Sequence, residues 1–123
     1  MAYSNQDWVN AITKLIELSS KQEVVWDLTS EYEADPWTEV DRAYDASLNG
    51  MRYVVKSSRY RHYTDVDDWY WANRFEFEIY KLTASKAYVR IAKAPDLTTI
   101  SNLYAMVEDN YAYKEGALKG LLT

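Results

Sequence analysis

Cysteine is absent from this 123-residue chain, which removes disulfides, thiolate metal sites and a cysteine nucleophile together. Histidine occurs once, as His62 in Ser57-Ser58-Arg59-Tyr60-Arg61-His62-Tyr63, so a zinc site of nitrogen and sulfur ligands has too few donors. A Ser-His-Asp triad would depend on that one residue, and no nucleophile elbow accompanies it; it reads as a surface histidine at a strand end. Glycine is confined to Gly50, Gly116 and Gly120, none of them placed between a strand and a helix as a phosphate-cradling loop requires. Asp65, Asp67 and Asp68 offer carboxylate oxygens, yet the glycine and distal glutamate of a calcium loop are missing, so a solvated turn is the reading. The sequence assigns no cofactor, no metal and no catalytic residue, and a non-enzymatic protein is expected. Two carboxylates brought together by the fold for glycoside cleavage would leave no trace in sequence.

Long apolar runs are missing as well. No stretch approaches the roughly 18 to 20 residues of a membrane span, and Met1 to Asp7 lacks the basic and apolar regions of a secretory signal. The expectation is a cytoplasmic protein with no membrane association, and the lack of cysteine agrees with a reducing compartment.

What the chain does hold is apolar surface and rings. Hydrophobic residues make up 48% and charged residues 27%, enough for one globular domain over residues 1–123 with a packed core. Twelve Tyr and five Trp stand against two Phe, a bias toward rings with a polar handle, which serve surfaces as well as cores. The net charge of −5 is unevenly spread: −7 over residues 1–50, +4 over 51–93 and −2 over 94–123.

Periodicity sets the element order. Trp8, Ile12, Leu15 and Ile16 recur at helical spacing, and Ser4 with Asp7 forms a capping-box pattern, giving a helix from about residue 5 to about 19. Val24-Val25-Trp26-Asp27-Leu28 reads as a first strand with Val24, Trp26 and Leu28 on one face, and Thr29 to Asp41 as a long acidic loop. Asn49-Gly50 is a type I′ hairpin turn, since both residues tolerate positive φ; it pairs Leu48 with Met51, Ala46 with Tyr53 and Tyr44 with Val55. A strand from Trp69 to Leu82 puts Trp71, Phe75, Phe77 and Ile79 on its apolar face. Across a Thr83-Ala84-Ser85 loop it is expected to set Ile79 against Val89, Phe77 against Ile91, Glu78 against Arg90 and Tyr80 against Tyr88. Ile100, Leu103, Tyr104 and Val107 mark a helix over about 97–109, and Leu118, Leu121 and Leu122 a short terminal one. The fold class is therefore α+β: an antiparallel meander sheet of four to five strands, with an N-terminal helix and C-terminal helices packed on one face.

Two segments are candidates for function. The acidic one contains Glu31, Tyr32, Glu33, Asp35, Trp37, Glu39 and Asp41; carboxylates spaced along a surface imitate duplex phosphates, and the rings add contact area of the kind found at interface hot spots. It reads either as a partner-binding site for a protein, one with a basic nucleic-acid-binding surface included, or as a solubilising loop. The other is basic and aromatic, Arg59, Tyr60, Arg61 and Tyr63, and reads either as a holder of single-stranded nucleic acid or as a solvated strand end that satisfies the acidic loop. A homodimer through an exposed sheet face is compatible with both.

The layout, with its Trp-bearing first strand, its meander, Ile100-x-x-Leu103-Tyr104-x-x-Val107 and Leu118-x-x-Leu121-Leu122, loosely resembles small uncharacterised proteins of bacteria, phages and other mobile elements. That resemblance implies at most a small stand-alone domain acting on a macromolecular partner and carries no catalytic residue across; for the protein-binding reading of the acidic segment, an inhibitor or antidefence protein of a mobile element would fit.

Overall fold

A computed structural model describes residues 1–29 and 38–122. Helix α1 spans Asn5–Ser20, followed by strands β1 (Asp27–Thr29), β2 (Thr38–Leu48), β3 (Met51–Tyr63), β4 (Trp69–Leu82) and β5 (Tyr88–Lys93), and then helix α2 (Thr98–Lys114). The strands form one antiparallel sheet in sequence order, each hydrogen-bonded to the next. This is the expected α+β meander. The described residues contain no helix long and apolar enough to cross a membrane.

The local signals act as chemistry dictates. Ser4 Oγ accepts from the Asp7 amide and the Asp7 carboxylate accepts from the Ser4 amide, which satisfies two of the amides that a helix start leaves open. Asn49 and Gly50 take φ of 54° and 79°, and the hairpin they close pairs Leu48 with Met51, Ala46 with Tyr53 and Tyr44 with Val55. One face of the sheet then offers Tyr44, Ala46, Val55 and Phe77 to Ile12 and Leu15 of α1 and to Ile100, Leu103, Tyr104 and Val107 of α2. Val24 and Trp26 complete that core. The Trp26 indole donates to Ser19 Oγ at 2.9 Å, while Asn110 Nδ2 donates to the Ser19 carbonyl at 2.7 Å, so Ser19 ties both helices to the chain entering the sheet.

Several expectations are corrected. The first strand starts at Asp27, after Val24 and Trp26, and Leu28 is exposed on this edge strand instead of sharing their burial. Thr29 belongs to β1 and Thr38 to Asp41 belong to β2, so both ends of the expected acidic loop are strand, and its remaining residues, 30–37, lie outside the described residues. The β4–β5 register slips by two, to Tyr80 opposite Arg90 and Leu82 opposite Tyr88. The cause is the turn. Thr83 N–H donates to the Ala87 carbonyl and Lys86 N–H to the Thr83 carbonyl, both at 2.9 Å, and Lys86 adopts φ of 64°, the left-handed residue that closes a three-residue hairpin loop. Beside the turn the slip is two residues and preserves which face each side chain takes, but past the shift between Ile79 and Tyr80 it is three, which sets Ala92 opposite Ile79 and Lys93 opposite Glu78 and removes the expected pairing of Phe77 with Ile91; Arg90 still reaches Glu78 Oε2 at 2.7 Å. Beyond α2 a run of turns replaces the second C-terminal helix, and Leu118, Leu121 and Leu122 are exposed; Gly116 takes φ of 69°, a left-handed residue of the kind that ends a helix, and the exposed leucines gain no burial that would offset the cost of nucleating another.

Candidate functional site

β3 and β4 extend past the rest of the sheet. β5 stops opposite Glu78, and β2 begins opposite Tyr60, so residues 61–63 and 69–71 pair only with one another among the described residues. The resulting two-stranded arm ends in a turn in which Thr64 N–H donates to the Asp68 carbonyl at 2.9 Å and Asp65 Oδ1 accepts from the Val66 amide at 2.7 Å. Asp65, Asp67 and Asp68 are exposed in that turn. Among the described residues no group of three or more acids and histidines is arranged to hold a metal ion.

Strand alternation sorts the arm's side chains into two rows. On the helix side, Arg59 and Arg61 face Trp69 and Trp71. The Arg59 guanidinium lies 4.8 Å from the Trp71 ring centre, Arg61 lies 4.5 Å from Trp69 and 5.6 Å from Trp71, and the two indoles meet edge to face at 5.3 Å. On the outer side, Arg74 lies 4.8 Å from the Tyr60 ring, and His62 stands 6.4 Å from Tyr60 and 5.1 Å from Tyr70. Cations and rings thus interleave along both faces. Each such contact is worth about 0.5–1 kcal/mol at an exposed site, enough to hold a side chain in one rotamer and so to lower the ordering cost of binding. Tyr63, Trp69 and Tyr70 remain 42%, 40% and 54% exposed.

The basic and aromatic candidates Arg59, Tyr60, Arg61 and Tyr63 are therefore placed on one projecting element, although Tyr60 lies on the opposite face from the other three. Trp71, expected in the core because its face runs on through Phe75, is half-buried beneath the two arginines; the core ends at Phe75, which packs on Tyr104 at 5.0 Å. Of the acidic candidates, Glu31, Tyr32, Glu33, Asp35 and Trp37 lie outside the described residues. Glu39 is a β2 residue whose register partner is Arg59, and Asp41 is the exposed extra residue where the β2–β3 register shifts. Of the acidic candidates, Glu39 and Asp41 thus lie at the end of the sheet from which the arm projects.

Sequence reasoning missed the contributions of Trp69, Tyr70, Trp71 and Arg74 to the arm, and it missed a buried ionic array on the outer face of the sheet. Glu76 and Glu78 are 8% and 2% exposed. Glu78 accepts from Lys56 at 2.8 Å and from Arg90 at 2.7 Å; Glu76 accepts from Arg74, Lys93 and Ser58, each at 2.9 Å. Burial alone would raise the Glu76 carboxyl, but bonds from Lys93 and Ser58 and the charges of Lys56 and Arg74 outweigh it and hold it at about 2. Glu78 is likewise lowered, against its burial, by Lys56 and Arg90. Beside them Arg52 bonds Asp45 through Nε at 2.7 Å. The available signal was nine Lys and Arg against five acids over residues 51–93.

Two clefts flank the sheet. An apolar one of 590 Å³ opens between α1 and the sheet, lined by Trp8, Leu18, Met51, Tyr53, Ile79 and Ile91. A polar one of 580 Å³ lies between β4 at Asn73 to Glu76 and the chain from Lys93 to Ser101. Comparison with protein-family models, with curated proteins and with solved structures finds no match for this chain.

Proposed function

We propose that this protein is a non-enzymatic binding module that recognises another protein through the β3–β4 arm together with the acidic segment that enters β2 beside it. The observation that carries this reading is the pairing of Thr38 with Tyr60 and Glu39 with Arg59, which joins the two charged, ring-bearing segments at one end of the sheet. Trp, Tyr and Arg are the residue types that dominate interface energetics, and here they are already ordered by one another. A partner with a basic surface, such as a nucleic-acid-handling protein, would meet the carboxylates of Glu31, Glu33, Asp35, Glu39 and Asp41, while the arm supplies the apolar contact. Occlusion of that surface is the action such a module would perform, as an inhibitor does.

Single-stranded nucleic acid held by Arg59, Tyr60, Arg61 and Tyr63 is the alternative. The three exposed aspartates at the arm's tip oppose it, because a phosphate backbone following the arm would run into like charge. One experiment separates the two. Tagged protein is used to capture partners from host extract with and without nuclease, and affinity for the captured protein is then measured against salt for wild type and for the Glu33→Lys/Asp35→Lys/Glu39→Lys variant. The proposal expects capture to survive nuclease, and the variant to bind more weakly with a flatter salt dependence. Unchanged affinity in the variant refutes the acidic contribution, and binding of short RNA or DNA at low salt, with protein capture abolished by nuclease, replaces the reading with the alternative.

A further inference from the structure

The sheet has edges of different character. β1 is three residues long, and β5 is interrupted by a register shift, carries Arg90 and Lys93 and is closed by Pro95. Short length, irregularity, cationic side chains and proline are the devices that keep a strand edge from pairing further. The third edge is β4 over residues 69–75, beyond the end of β5, and among the described residues no strand pairs with it. Its sequence, Trp69-Tyr70-Trp71-Ala72-Asn73-Arg74-Phe75, has no proline and no lysine, and its register with β3 is unbroken.

The direction of its backbone groups follows from two bonds. Asp68 C=O accepts from Thr64 on the β3 side, while Phe77 C=O accepts from Ala94 on the opposite side. Along a strand these directions alternate residue by residue. Trp69, Trp71, Asn73 and Phe75 therefore turn both N–H and C=O toward the open edge.

We infer that this edge pairs with the same edge of a second copy of the chain, antiparallel, joining two five-stranded sheets into one. Only one register engages all four outward residues of both copies: Trp69 opposite Phe75 and Trp71 opposite Asn73, with Ala72 facing its counterpart on the twofold axis. At that axis the pair is not hydrogen-bonded, and opposed Cα atoms approach to about 4.5 Å with side chains closest. Alanine is the smallest side chain of the segment. The same register brings the Tyr70 ring of one copy opposite the Arg74 cation of the other, a favourable cross-strand pair. It can slide no further inward, because the Phe77 carbonyl is taken by Ala94, and the 580 Å³ cleft beside Asn73 to Glu76 gives the end of the incoming strand a place to lie. The contact is self-complementary, as a closed two-fold interface requires, and it sets two arms side by side. It stands independently of the partner proposed above.

Sedimentation velocity and light scattering on the full chain, up to high micromolar concentration, test it. Wild type is expected at about twice 14.4 kDa. Asn73→Pro deletes an outward N–H without touching the β3 ladder and should return the mass to a single chain. Ala72→Lys, which places like charges on the axis, should do the same, and circular dichroism confirms that each variant folds. Hydrogen exchange at the Trp71 and Asn73 amides should slow with concentration in wild type alone. A single-chain mass for wild type throughout, or variants that still pair, overturns the inference. A single-chain wild type whose capture of another protein is lost in Asn73→Pro overturns it too and gives the edge to that protein's strand.

Discussion

Replacing Glu76 with glutamine removes one charge from the centre of the outer-face array and leaves its shape. In the folded protein the Glu76 carboxyl titrates at about 2, against 4.5 in a free chain, because Lys93, Ser58, Lys56 and Arg74 outweigh the burial that would raise it. The depressed value means that the unfolded chain takes up the proton first as pH falls. Stability present above pH 4.5 is therefore lost on the way down to pH 2. At about 1.4 kcal/mol per unit, the whole difference comes to roughly 3 kcal/mol, of which roughly 2 is gone by about pH 3. Arg74 and Lys93 are 41% and 44% exposed and regain water when the carboxylate is lost, so at neutral pH Glu76→Gln should cost no more than the lower end of the ~3–5 kcal/mol typical of a broken buried pair. Urea denaturation followed by tryptophan fluorescence, for both proteins at about pH 6 and about pH 3, measures both quantities. Wild type should lose roughly 2 kcal/mol more than the variant between the two pH values. Equal losses would show that the carboxylate is not held down by its neighbours, and the reasoning about the array would fail.

Three further outcomes follow from single contacts. Ser19→Ala strips the buried Trp26 indole N–H of its acceptor and should cost about 1–3 kcal/mol in thermal or chemical denaturation; a loss within error of zero contradicts the role given to Ser19. Gly50→Ala meets no atom within 4 Å but must adopt φ of +79°, so a loss of about 1 kcal/mol arises from backbone strain alone, and an unchanged midpoint would refute the turn assignment. Tyr104 is raised to about 12, by burial first and then by Tyr44 and Glu108 against the opposing Arg42. Its contribution is intact below pH 10 and lost as pH rises toward 12; ultraviolet titration should show a late tyrosine that Tyr104→Phe removes, and uniform titration near pH 10 in the folded protein contradicts it.

How much of this was legible depends on how local each cause is. The capping box at Ser4 and Asp7 and the Asn49-Gly50 hairpin are short-range devices whose residues specify their geometry, and α1 and the β2–β3 register follow from them. The β4–β5 turn depends on Lys86 at positive φ, a conformation that lysine does not advertise, so the register read from side-chain matching slipped by two. Alternation correctly separated Arg74, Glu76, Glu78 and Tyr80 from the apolar face, yet periodicity cannot tell an outward face in water from one whose carboxylates are buried among cations. Trp71 continues the apolar pattern of β4 in sequence, but the helices that would cover it end at Phe75, and it packs beneath Arg59 and Arg61 instead. Arg59, Arg61 and Tyr63 were visible as a basic aromatic run; the Trp69 to Arg74 strand that completes their site is brought beside them only by the long hairpin.

The claim that the arm recognises a protein is tested most directly by the affinity of the captured partner for a Trp69→Ser/Tyr70→Ser variant, whose changes lie on exposed ends of the arm and away from the core. The account predicts an affinity loss of roughly ten-fold or more with an unchanged melting temperature. Wild-type affinity in that variant would contradict it.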